Sequence, residues 1–152
     1  MNPTLEDTLD LVIKNHKGQK DKQERPYIRH LLNVVSNLSI QKNVIYSYMR
    51  DDIIHVALLH DIIEDTTVDL DKLKELDYPE SIIIAVDILT KPKKRISYLD
   101  YIYRIKESKV QFAVEVKKAD LITNLSDIDK LEENDKQKRH HKYIAALAIL
   151  NS

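Results

Sequence analysis

The sequence predicts an all-α fold, on three observations. The 152 residues contain one glycine, Gly18. The tight turns of β-hairpins want Asn-Gly or Asp-Gly, and neither occurs. Apolar residues recur at helical spacing along most of the chain, and helix-start residues precede several of those runs.

The elements follow in order. Asn2 as cap with Pro3 at the first helical position predicts a helix to about Asn15. The polar stretch HKGQKDKQERP then reads as a loop. Helical spacing returns from Tyr27 to about Leu38. One long helix is predicted over residues 43 to 63, with Val44, Ile45, Tyr48, Ile53, Val56, Ala57, Leu59 and Ile63 as its apolar stripe. Leu70 to Leu76 is a short helix, and Pro79 starts another that runs to Leu89. Ser97-x-x-Asp100 and Ser108-x-x-Gln111 match capping boxes ahead of amphipathic runs. A charged stretch from Asp127 to Arg139 separates the last helix, about Lys138 to Leu150, within a C-terminal segment of 134–152. No repeat or linker divides the chain, so residues 1–152 are expected to form one domain.

Composition narrows the function classes. Lys and Arg number 24 and Asp and Glu 25, a net charge of −1 that gives no bulk reason to expect nucleic acid or an anionic membrane surface. No run approaches the ~18 apolar residues of a membrane span. The absence of cysteine removes disulfides, thiolate metal sites and a cysteine nucleophile, and is compatible with a cytoplasmic location. A single glycine also argues against the glycine-rich loops that cradle phosphates.

Chemistry concentrates in ALLHDIIEDT, residues 57–66, where His60, Asp61, Glu64 and Asp65 follow an apolar run. Ionisable groups beside a core are costly unless paired or metal-bound. In a helix His60 and Glu64 would be i,i+4 neighbours, as would Asp61 and Asp65. Taken alone, the peptide fits equally well an amphipathic helix with a solvated charged end. Two further segments favour a site: His30 opens the apolar run HLLNVV, and Asp120 sits in the apolar-faced helix VKKADLITNL, with Asn124 one turn on. Two histidines and two aspartates from three segments form a nitrogen and oxygen set suited to Mn²⁺, Fe²⁺ or Zn²⁺. His16, His55, His140 and His141 lack an evident partner and read as structural or solvated, as do the charges from Lys130 to Arg139.

Five stretches, His16-x-Gly18-Gln19, Pro26-Tyr27-Ile28-x-His30, Ala57-Leu58-Leu59-His60-Asp61-x-x-Glu64-Asp65-Thr66, Leu89-Thr90-Lys91 and Lys117-x-Ala119-Asp120-x-x-x-Asn124, occur in an order that resembles the HD-domain metal-dependent phosphohydrolases. Within that superfamily the chain is most similar to the hydrolase domain of RelA/SpoT-type proteins, as a free-standing small alarmone hydrolase, with the similarity strongest over residues 16–124. The resemblance implies a single helical HD domain. It implies His30, His60, Asp61 and Asp120 as ligands of Mn²⁺ or another divalent ion such as Fe²⁺, Co²⁺ or Zn²⁺. Glu64 and Asp65 would handle the water and the leaving group, in interchangeable roles, and Asn124 and Lys22 would contact the nucleotide. The implied reaction removes the 3′-pyrophosphate of guanosine tetra- or pentaphosphate. The chain departs from the pattern at Asp21, where the family has an arginine packed against guanine, and at Glu24, Leu31, Leu121 and Thr123. Asp21 leaves room for another phosphorylated nucleotide: an adenine alarmone, a nucleoside monophosphate or NADPH. In that case Asp21 itself would read the ligand. A non-catalytic binding module is a third reading, against which the Glu64–Asp65 pair speaks.

Overall fold

The computed structural model describes residues 1–38, 49–128 and 131–152. Among these, nine helices and no strands are present, as the all-α reading expects: α1 (Leu5–Asn15), α2 (Ile28–Ser36), α3 (Arg50–Leu59), α4 (Ile62–Asp65), α5 (Leu70–Glu75), α6 (Glu80–Leu89), α7 (Tyr98–Glu107), α8 (Gln111–Asp127) and α9 (Glu133–Asn151). None of them is long and apolar enough to cross a membrane. Helix α3 is the central element. It packs against α1, α2, α6 and α8, and α9 closes over α7 and α8. Leu31, Val56, Leu59, Ile62, Ile82, Ile102, Ile105 and Leu121 are fully buried in one core that spans these helices. Each such side chain stabilises the fold by roughly 1.5–3 kcal/mol.

Several helix boundaries differ from expectation, each for a local reason. Thr4 rather than Asn2 caps α1. Its hydroxyl accepts from the Asp7 amide at 3.1 Å, and the Asp7 carboxylate accepts from the Thr4 amide at 2.8 Å. That reciprocal box satisfies two amides that Asn2 and Pro3 would leave open. The long helix expected over 43 to 63 is interrupted. Its first part, 43–48, lies outside the described residues, and the remainder is two helices hinged at His60 and Asp61. Asp61 has φ −106° and ψ 0°, the sparsely used bridge conformation. The i,i+4 pairing of His60 with Glu64 on a continuous helix therefore does not hold. Ser97 caps α7 by accepting from the Asp100 amide at 3.0 Å. Ser108 does not open α8. Its hydroxyl donates to the Ile105 carbonyl and accepts from the Val110 amide, so it finishes α7. Helix α9 starts at Glu133, not Lys138, because nothing in the charged stretch breaks a helix and Glu133 and Asp135 suit its N-terminal dipole.

His55 has a partner after all. Its Nδ1 lies 2.8 Å from the Thr8 hydroxyl, which lies 2.6 Å from the Tyr78 hydroxyl, all buried. This network pins α1 to α3 and to the turn before α6, and its role is structural.

Candidate metal centre

The break between α3 and α4 ends α3 at His60, and α3 packs against α2 and α8. Here one oxygen of Asp120 and ring nitrogens of His30 and His60 lie within 4.8 Å of one another, all three residues buried. His30 Nε2 is 2.9 Å from Asp120 Oδ1, and His60 Nε2 is 3.5 Å from the same oxygen. His60 Nδ1 lies 2.7 Å from the Ala57 carbonyl, to which only a protonated Nδ1 can donate. In the neutral ring that leaves a lone pair on Nε2. This atom is buried, stands 3.0 Å from Asp61 Oδ2, and makes no hydrogen bond. A lone pair facing two carboxylates is repulsive unless a cation stands between them. Burial opposes charge on His60, yet Asp61 and Asp120 raise its pKa well above the usual histidine range. The donor set and this unmet lone pair fit a divalent ion.

Of the four expected ligands, the structure brings His30, His60 and Asp120 into one cluster. Asp61 lies at its edge, half-buried, with Oδ2 also accepting the Tyr27 hydroxyl. Tyr27 stacks between His16 and His30, at ring separations of 5.0 and 5.4 Å. Lys117 is the second supporting group. Its ammonium donates to Asp120 Oδ2 at 2.9 Å and lies 5.3 Å from the Tyr101 ring. Burial disfavours the charge on Asp120, but Lys117 and the two histidines hold its pKa well below the carboxylate range. With Oδ2 fixed by Lys117, Oδ1 is the oxygen left to the cluster. The Lys117–Asp120 contact is an i,i+3 pair within α8 that spacing allows; the Tyr27–Asp61 contact is not predictable from spacing, although both supporting residues belong to the motifs.

Glu64 and Asp65 stand on α4 beside the cluster and reach solvent. Glu64 Oε1 accepts the backbone amide of Lys91, just past the end of α6. Partial burial, together with the charges of Asp61 and Asp65, raises the Glu64 pKa above its ordinary value against the pull of that amide. Asp65 is raised by burial and by Asp61. His16 is buried, with Nδ1 2.8 Å from Gln19 Oε1, while Gln19 Nε2 donates to the Asp65 carbonyl. The first motif thus supports the acidic pair through a side-chain relay.

A cleft of about 340 Å³ opens from the cluster, lined among others by Lys20, Lys22, Arg25, Asn124, Arg139 and Tyr143. Lys22 and Asn124 face it as expected. Asp21 also lines it, but as part of its own loop: Oδ1 accepts the amides of Gln23 and Arg25, and Oδ2 accepts Arg25 Nε at 2.9 Å. The guanidinium reaches on to Asp127 at 3.4 Å. Asp21 therefore builds the turn and has its charge matched by Arg25, while still lining the cleft. Glu24 occupies a left-handed conformation, φ 62°, in the same turn. Arg139, expected on a solvated face, lines the cleft instead because α9 packs against α8. Thr123 is buried and ties Asn37 on α2 to the Ala119 carbonyl.

No family model matches the chain. Guanosine-3′,5′-bis(diphosphate) 3′-pyrophosphohydrolase MESH1 of Drosophila melanogaster is 32% identical over 74 residues, 47% of this chain and 39% of that protein. The chain thus matches well under half the length of this curated relative. A solved structure, described as a metazoan ortholog of SpoT that hydrolyzes ppGpp and plays a role in starvation responses, superposes over 99% of this chain and 88% of its own. Its TM-score is 0.79 at 23% identity. At that identity the likeness establishes the shared fold.

Proposed function

We propose that the chain is an HD-type, metal-dependent phosphohydrolase that removes the 3′-pyrophosphate from guanosine tetra- or pentaphosphate. The observation that carries this reading is the convergence of His30, His60 and Asp120, with Asp61 at the edge, on a cleft that Lys20, Lys22, Arg25 and Arg139 also line. The activity named for the MESH1 relative and for the superposed structure supports the substrate class. His30, His60, Asp61 and Asp120 would hold the ion, Mn²⁺ or a similar divalent metal, which supplies charge against the phosphoryl oxygens and acidifies water.

In this reading a water oxygen bonds to the phosphorus carried by O3′, and the bond from phosphorus to O3′ breaks. Glu64, fixed at Oε1 by the Lys91 amide, takes the water proton on its free oxygen. Asp65, raised towards protonation, gives a proton to O3′ or orients the water. Asn124 and Lys22 contact the nucleotide, and Arg25 matches the charge of Asp21 beside them. The absence of cysteine is compatible with a cytoplasmic enzyme. Purified protein with Mn²⁺ should convert guanosine tetraphosphate to guanosine diphosphate and pyrophosphate. Asp120→Ala should lose metal content and turnover together. Hydrolysis confined to NADPH or adenine alarmones in a nucleotide panel would replace the substrate and keep the reaction class.

A further inference from the structure

Tyr101 on α7 is buried, and the hydrolysis described above gives it no part. Its hydroxyl donates to the carbonyl of Leu89, the last residue of α6. The final carbonyls of a helix have no partner within it, and Leu89 is itself buried, so this bond supplies a donor that the helix cannot. Two residues on, the amide of Lys91 donates to Glu64 Oε1. Between them Thr90 leaves the helix in an extended conformation, φ −74° and ψ 119°. The Tyr101 hydroxyl thus anchors the short segment from which Glu64 is held.

The ring of the same tyrosine lies beside the other half of the site. The Lys117 ammonium is 5.3 Å from its centre and 5.9 Å from that of Tyr98. An ammonium taken out of water is stabilised by an aromatic face within about 6 Å. Lys117 in turn donates to Asp120 Oδ2 at 2.9 Å, which leaves Oδ1 to the cluster. Helix α7 packs on both α6 and α8, the helices that carry these two contacts, and Ile102 and Ile105 fix it in the core. Burial raises the Tyr101 pKa, and although Lys117 pulls it down, the carboxylates of Glu64, Asp120 and Asp61 add to the rise. The hydroxyl keeps its proton and remains a donor.

We propose that Tyr101 is a positioning residue for both halves of the centre: its hydroxyl sets the Leu89–Lys91 segment that holds Glu64, and its ring seats Lys117, which aims Asp120. The inference rests on the phosphohydrolase reading for Glu64 as proton acceptor, and on the candidate metal centre for Asp120. Tyr101 touches no reacting atom in this arrangement. It acts through a backbone amide on one side and an ammonium on the other. The two contacts reside in different atoms of one side chain, so they can be removed one at a time.

The test pairs steady-state turnover over the nucleotide panel with Mn²⁺ affinity from equilibrium dialysis. Tyr101→Phe removes the hydroxyl and keeps the ring. It should lower kcat roughly tenfold, the low end for a group that acts through another, with KM and Mn²⁺ affinity near the parent's. Tyr101→Leu removes the ring as well and should also weaken Mn²⁺ binding, by about tenfold. Tyr78→Phe takes a buried hydroxyl from the Thr8 network instead. It controls for lost stability and should leave both measurements unchanged. Parent-like kcat in Tyr101→Phe, parent-like Mn²⁺ affinity in Tyr101→Leu, or equal losses in Tyr78→Phe overturns the proposal. A parent that turns over no nucleotide, with Mn²⁺ affinity lost in Tyr101→Leu alone, removes the phosphohydrolase reading and keeps the part of the ring. Turnover in the parent with all three variants parent-like does the reverse.

Discussion

Glu64 is held by one oxygen and free at the other, which separates its position from its proton chemistry. Glu64→Gln keeps an acceptor for the Lys91 amide but cannot take a proton. Turnover should fall roughly 10²- to 10⁴-fold while metal content stays at the parent level. A parent-like rate would place the base elsewhere. Asp21 calls for a different measurement. Burial acts to raise its pKa, but the amides of Arg25 and Gln23 and the Arg25 guanidinium bring it below the ordinary 3.8. A depressed carboxylate contributes stability above its unfolded pKa and loses it as pH falls through the folded value. Asp21→Asn should therefore be less stable than the parent in denaturant melts at neutral pH, with the gap closing below about pH 4. A gap independent of pH would show that the charge does not matter to the turn. At this scale the sequence conveys identity and spacing well, so His30, His60 and Asp120 could be singled out. The Asp21–Arg25 contact was not legible, because both residues lie in one loop, where hydrogen-bond closure depends on backbone geometry.

Helices were legible where side chains alone decide them. The Ser97 cap, the short α5 and the proline before α6 all follow local rules. The boundaries that shifted depend on competition between neighbouring candidates. Thr4 won over Asn2 because Asp7 stands three residues on and answers the Thr4 amide. Thr4→Ala should cost about 1 kcal/mol in chemical unfolding, whereas Asn2→Ala should cost far less. Equal losses would return the cap to Asn2. The hinge at His60 and Asp61 was hidden because every residue from Val56 to Asp65 tolerates a helix. At that point His60 Nδ1 meets the Ala57 carbonyl and its Nε2 faces Asp61, both locally, while the Tyr27 hydroxyl on Asp61 is the tertiary contact.

Across the whole molecule, the cluster draws on α2, the α3–α4 hinge and α8, segments far apart in the chain. Ion binding to the native state alone should stabilise it by about 2.7 kcal/mol at a hundredfold excess over Kd. For a chain of this size that corresponds to roughly 5–10 °C in Tm. Melts with and without Mn²⁺ should show that rise in the parent and not in Asp120→Ala. No rise in the parent would mean that the cluster does not bind Mn²⁺. The single core and helical class were readable from composition and periodicity. The packing of α9 on α8, which carries Arg139 into the cleft, was not, because the path of a charged helix is set by surfaces that it meets only after folding.

The contact between Glu64 and position 91 runs through the backbone, and that has a consequence for how this chain can change over generations. Any residue but proline offers the same amide. Substitutions at position 91 other than proline are thus invisible to Glu64. The hold on the acid is kept by the geometry of the turn and tolerates drift in the side chain that projects from it.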